Sequence, residues 1–170
     1  MLNADHSRFI PCIGCGALVP EVAGPTHRYM ESSPGCWAIY GEVLAREYSD
    51  PAYGVVHRLT VDAYAVQHPG RPSPQTIQSL AIHLQRLCLI LERGYTDAAA
   101  GKAMPLLAQH KNAFHWMDPP APLGDKTVLH AWNAQDPEAY SNAIREWARS
   151  AWQAWSAHHE QVRRWLPKEL

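Results

Sequence analysis

The sequence predicts a mostly α fold: a helical bundle with a zinc-knuckle-like segment at its N-terminus. Three observations predict it. Apolar residues recur at helical spacing across residues 33–93 and again across 136–165. Fourteen prolines stand among few β-branched runs, a pattern of helices punctuated by stiff turns. Near the start, Cys12-Ile13-Gly14-Cys15-Gly16 offers two thiolates separated by two residues, the spacing that presents both sulfurs to one tetrahedral ion.

The chain has 170 residues, enough for one domain with a sizeable core, so residues 1–170 are read as a single helical domain with 8–37 as its metal-stabilised knuckle. A net charge of -1 gives no global field toward nucleic acid or an anionic membrane, and no nucleic-acid partner is expected. No apolar run approaches the ~20 residues that span a bilayer. The opening MLNADHSRF lacks the charged and apolar regions of a signal peptide, which makes cytoplasmic the default location. Four cysteines in a reducing compartment favour metal or catalytic chemistry over a disulfide framework.

Residues 1–11 read as an arm. The Cys12/Cys15 pair lacks the strand-then-helix context of a redox motif, because Pro20, Gly24 and Pro25 follow too soon. His27 and Cys36 lie close by in sequence. Cys12, Cys15, His27 and Cys36 therefore make the expected structural zinc set, with His6 as the substitute fourth ligand.

Ser33 and Pro34 are an N-cap and first residue for the first helix. Cys36, Tyr40, Val43, Leu44 and Glu47 fall on one face. Glu47 is anomalous there, since a buried carboxylate must be paired, protonated or metal-bound. Arg46 or Arg58 is the plain partner. A second helix, about 52–67, carries an aliphatic stripe of Val55, Val56, Leu59, Ala63 and Val66. Its other face, with His57, Val61, Tyr64 and His68, suits the wall of a polar pocket. His57 and His68 lie ~16 Å apart along the axis and cannot share an ion. His68, before Pro69-Gly70, is also placed to cap the last carbonyls.

Ser73 caps a third helix that is apolar almost all round and therefore central. Antiparallel packing of the second and third helices sets His57 and His83 at one height, with Glu47 in the adjoining turn. Glu47, His57 and His83 are then candidate ligands of a second divalent metal. The plain alternative is that His83 is a satisfied core histidine.

Residues 94–126 are irregular, and 114–122 read as a lid or, more simply, a long connection. Thr127 caps a short helix, 128–134. Asp136 and Pro137 open a final helix that runs to about Trp165, with His158 inside its apolar stripe and Trp152 outside it, free to meet a partner. His158 joins His57 and Glu47 as a catalytic candidate, and Tyr64 and His68 as substrate-lining ones.

With these residues in place, the chain resembles an uncharacterised bacterial protein family marked by CxxCG, GPxHxY, SxGCW, AREYSD and VDxYxxQHPG. Here the motifs run from Cys12 to Gly16, Gly24 to Tyr29, Ser33 to Trp37, Ala45 to Asp50 and Val61 to Gly70. The resemblance carries no reaction with it. The chain is more distantly similar to DinB-like bundles, which hold a metal with three histidines, but it lacks their HxxxH helix. Two functional expectations follow. One is a metal-dependent enzyme acting on a small molecule through the Glu/His cluster. The other is a binding or scaffold protein whose zinc is purely structural.

Overall fold

The computed structural model describes residues 8–170; the substitute ligand His6 and most of the arm lie outside the described residues. Helices account for most of it, and a two-stranded antiparallel ribbon is added at the N-terminus. Strands β1 (Phe9–Pro11) and β2 (Leu18–Pro20) pair with Phe9 opposite Pro20 and Pro11 opposite Leu18. Proline-rich composition hid this ribbon from the periodicity argument, since three-residue strands show no alternation to read. The turn between them holds Cys12 and Cys15. Gly16 closes it at φ 74, a left-handed conformation that glycine adopts without cost, and its N–H donates to the Cys12 carbonyl.

Helix α1 (Pro34–Ser49) begins where Ser33 and Pro34 place it and ends at Asp50, whose carboxylate then caps α2 (Pro51–Gly54) through the Ala52 N–H. The expected second helix is broken. Val56 leaves helical geometry at φ -114, ψ 12, and α3 (His57–Gln67) starts afresh after it. The break turns Val55 outward, 60 % exposed, while Val56, Leu59, Ala63 and Val66 stay buried. Helix α4 (Pro74–Leu91) is capped by Ser73, which accepts from the Thr76 N–H, and is buried along most of its length. Short helices α5 (Asp97–Lys102) and α6 (Met104–Leu107) and a 3-10 turn follow.

Helix α7 (Val128–Trp132) opens on Thr127 with a reciprocal cap from His130. The final helix is also broken: α8 (Pro137–Ala154) stops at Trp155, a 3-10 turn spans Ser156–His158, and α9 (His159–Trp165) resumes. Trp155 is fully buried, and its indole N–H donates to the Val66 carbonyl at 3.0 Å, which anchors the break to α3. Two expectations change as a result. Trp152 is buried and stacks on His159 at 3.7 Å between ring centroids, so it is no exposed partner contact. His158 leaves the core stripe, and its Nε2 reaches the Asp118 carbonyl at 2.9 Å, tethering the 114–122 connection to the C-terminus.

Helix α3 is the axis of the packing, lying against α4 on one side and α8 on the other. One buried cluster runs from Cys12 through Val43, Tyr64, Leu84 and Trp147 to Trp165. It includes the sulfurs of the N-terminal turn, so the ribbon and the helices share a core.

Candidate metal centre

Three elements bring four donors to one point. The ribbon turn supplies Cys12 and Cys15, the first turn of α1 supplies Cys36, and the C-terminus of α3 supplies His68. All four are buried, and their ligand atoms lie within 4.8 Å of one another. His68 Nε2 stands 3.6 Å from Cys12 Sγ and 3.5 Å from Cys36 Sγ, and the Cys15 and Cys36 sulfurs are 3.9 Å apart. A tetrahedral zinc with ordinary Zn–S and Zn–N bonds has S···S edges of about 3.8 Å and S···N edges of about 3.6 Å. The donor set therefore has the size as well as the composition of a Cys3His site, and this group could hold a metal ion.

The surroundings fix the ligands. Nδ1 of His68 donates to the Tyr64 carbonyl one helical turn back at 2.7 Å, which leaves the electron pair of the neutral ring on Nε2, facing the sulfurs. The ring is stacked on Tyr64 at 3.9 Å, and Tyr64 on Tyr40 at 3.8 Å. The Ser33 N–H and the Tyr64 hydroxyl point at the Cys12 and Cys36 sulfurs at 3.4 and 3.6 Å. Gly14 sits where any Cβ would strike the Glu31 carbonyl and the His68 ring. The sulfurs also perturb one another. Hydrogen bonds from Cys15 and Cys36 hold the Cys12 thiol far below its ordinary range. The same contact with Cys12 pushes Cys15 up to about 12, and Cys36 rises further for the same reason. One sulfur ionises at the others' expense, and a divalent cation held there would let all three ionise together.

His27 is not in this group. Its ring packs edge-on against Tyr29 at 4.4 Å and lies 5.4 Å from Trp37, and Nδ1 accepts from the Tyr29 N–H. Nearness in sequence suggested it, and the fold replaces it with His68, which sequence spacing had assigned to a pocket wall and a helix cap. The signal for His68 was local: a histidine at the C-cap of α3, four residues after the buried Tyr64. What sequence spacing does not supply is the return of α3 to the ribbon.

The expected second cluster is divided between two sides of α3. Glu47 is fully occupied. Its Oε1 accepts from the Tyr140 hydroxyl at 2.6 Å and the Thr60 hydroxyl at 2.5 Å, and its Oε2 accepts from His57 Nδ1 at 2.6 Å. Neither Arg46 nor Arg58 takes that role; Arg46 instead donates to the carbonyls of Ala131, Trp132 and Ala134 at the end of α7. His83 faces the other way and binds Asp62 on α3 at 2.8 Å. Among the described residues, the only group of three or more potential ligands is Cys12, Cys15, Cys36 and His68, so Glu47, His57 and His83 do not meet. Tyr64, expected to line a pocket, is a core residue with no exposure. Burial also reveals polar residues that periodicity passed over. Gln67 donates to the Leu123 and Lys126 carbonyls and accepts from the Trp147 indole, stitching the long connection to α3 and α8.

No helix among the described residues is long and apolar enough to cross a membrane. Compared with known proteins, residues 10–156 match the model of a family of unknown function, DUF5946. No curated protein matches the chain, and neither does any solved structure.

Proposed function

The chain belongs to DUF5946, a family of unknown function, and from that premise we propose that it is a zinc-binding helical protein whose metal is structural and which serves as a binding protein. The observation that carries this reading is the closed donor set. Four buried protein ligands leave no open coordination position, the arrangement of structural rather than catalytic zinc. Three thiolates and one imidazole favour zinc among the divalent ions of a reducing compartment. The ion staples the ribbon to the start of α1 and the end of α3, and such a site contributes folding free energy on the order of 10 kcal/mol.

The metal-dependent enzyme reading had rested on Glu47, His57 and His83. The saturated carboxylate of Glu47 and the diversion of His83 to Asp62 remove its support. One surface open to a ligand is shaped by the stapled segment 26–32, which lines a cavity of about 440 Å³ with Gly70, Arg71 and Ser73.

Elemental analysis of the purified chain tests the proposal. One zinc per chain, removed only slowly by chelators and with a large drop in Tm on removal, is expected. A chain that folds to the same Tm with and without metal would overturn it.

A further inference from the structure

One chemical group lies outside the sulfur centre and has no part in it. Asp62 of α3 is 1 % exposed at its side chain, and both of its oxygens accept from the Arg86 Nε at 2.9 Å. Its Oδ1 also accepts from His83 Nδ1 at 2.8 Å. Arg86 is itself buried, and its Nη2 finds no hydrogen-bond partner among the described residues. A carboxylate so held cannot swing, and it fixes the imidazole through a single nitrogen. In the neutral ring this leaves the electron pair on Nε2, on the side away from Asp62. A core histidine that served only packing would be sealed in. His83 instead lines a surface cleft of about 310 Å³ between α4 and Tyr29.

The cleft wall has a consistent chemistry. Ile82, Met104 and the Tyr29 ring are apolar, and Gln75, Gln78 and Ser79 supply amide N–H and hydroxyl donors. Lysine, arginine and carboxylate side chains are not among the lining residues, so the wall carries no fixed charge. Ser79 stands one helical turn before His83, and helical side chains lean toward the N-terminus, which sets His83 over that turn.

We propose that this cleft is a hydrolytic site for a small uncharged carboxylic ester, with His83 as general base. The proposal goes beyond the structural-zinc reading and does not depend on it. Nε2 takes a proton from a water, and that oxygen forms a bond to the ester carbonyl carbon. The carbonyl π pair moves onto its oxygen, toward the hydroxyl of Ser79 one helical turn from His83. The returning pair expels the alkoxide, which takes the proton from Nε2. Ester and water become acid and alcohol, with no change of oxidation state. Asp62 is a positioning residue that holds the ring.

The test is hydrolysis of p-nitrophenyl acetate and of 4-methylumbelliferyl butyrate by the zinc-loaded chain. General-base catalysis contributes about 10²-fold or more, so H83Q is expected to lose at least that in kcat/KM while keeping zinc content and Tm. D62N is expected to lower kcat and leave KM unchanged. S79F, which fills the cleft from a half-buried position and leaves the buried ion pair intact, is expected to abolish turnover should H83Q fail to fold. Wild-type turnover no faster than free imidazole would overturn the proposal, and so would H83Q or S79F with unchanged kcat/KM.

Discussion

His68 Nδ1 donates to the Tyr64 carbonyl at 2.7 Å, and this bond decides which nitrogen of the ring the sulfurs meet. The hydrogen bond is local, from the C-cap of α3 back to its last full turn. The ring is therefore oriented by its own segment and not by the sulfurs. Substituting His68 by Ala should halve or abolish zinc retention under chelator competition, whereas His27→Ala should retain one equivalent. Metal content after dialysis measures both, and loss from the His27 variant with retention in the His68 variant would sink the assignment.

Gly14 is the tightest point of the ribbon turn. A Cβ there meets the His68 ring at 2.5 Å and also the Glu31 backbone. Gly14→Ala is expected to lower Tm by more than Gly16→Ala, whose position is open but left-handed at φ 74. Thermal melts of the two zinc-loaded variants give the order directly.

Glu47 gathers three donors in a buried site, which ties α1 to α3 and α8. Tyr140→Phe removes one of the three and should cost about 1.5–3 kcal/mol, the range for a hydrogen bond to a charged group. Glu47→Ala strands all three donors and should cost more than Tyr140→Phe. Urea unfolding of both variants checks the ranking, and equal midpoints would show that the network is not a structural tie.

Asp97 gives a pH signature. Burial raises its carboxyl above the ordinary value, although Arg86 and Arg58 pull the other way, and its Oδ1 accepts from the Leu59 N–H. A folded value above the unfolded one means that the contribution is full at low pH and is lost as pH rises through the folded value. Asp97→Asn keeps the acceptor and removes the charge. The Tm of the variant should match wild type below the ordinary carboxylate range and exceed it at neutral pH. A difference that is constant across pH would contradict this.

The helical class, the caps and three of the four buried donors were legible in the sequence, because each rests on local chemistry. Ser73 and Asp136 stand immediately before a proline and cap through their side chains. Ser33 marks the start of α1 while its hydroxyl accepts from the Ile13 N–H instead, and the two sulfurs of the turn have two residues between them. The fourth donor was not legible, because closeness in sequence favoured His27 and only the return of α3 selects His68. Glu47 was recognised as a carboxylate that needed a partner. Its partners were hidden, since Tyr140 lies 93 residues away. The two helix breaks escaped for a similar reason. At Val56 and Trp155 the apolar pattern continues through a change of backbone direction, and periodicity does not register a kink that packing imposes.

The donors Cys12, Cys15, Cys36 and His68 come from widely separated parts of the chain, and this orders events in time. A growing chain that has emerged only through α1 carries the three cysteine sulfurs but not His68. A complete donor set waits for α3 to be made and to dock. On the proposed reading, zinc uptake would report on tertiary assembly, and fragments ending before His68 should bind the ion more weakly and exchange it faster than the whole chain.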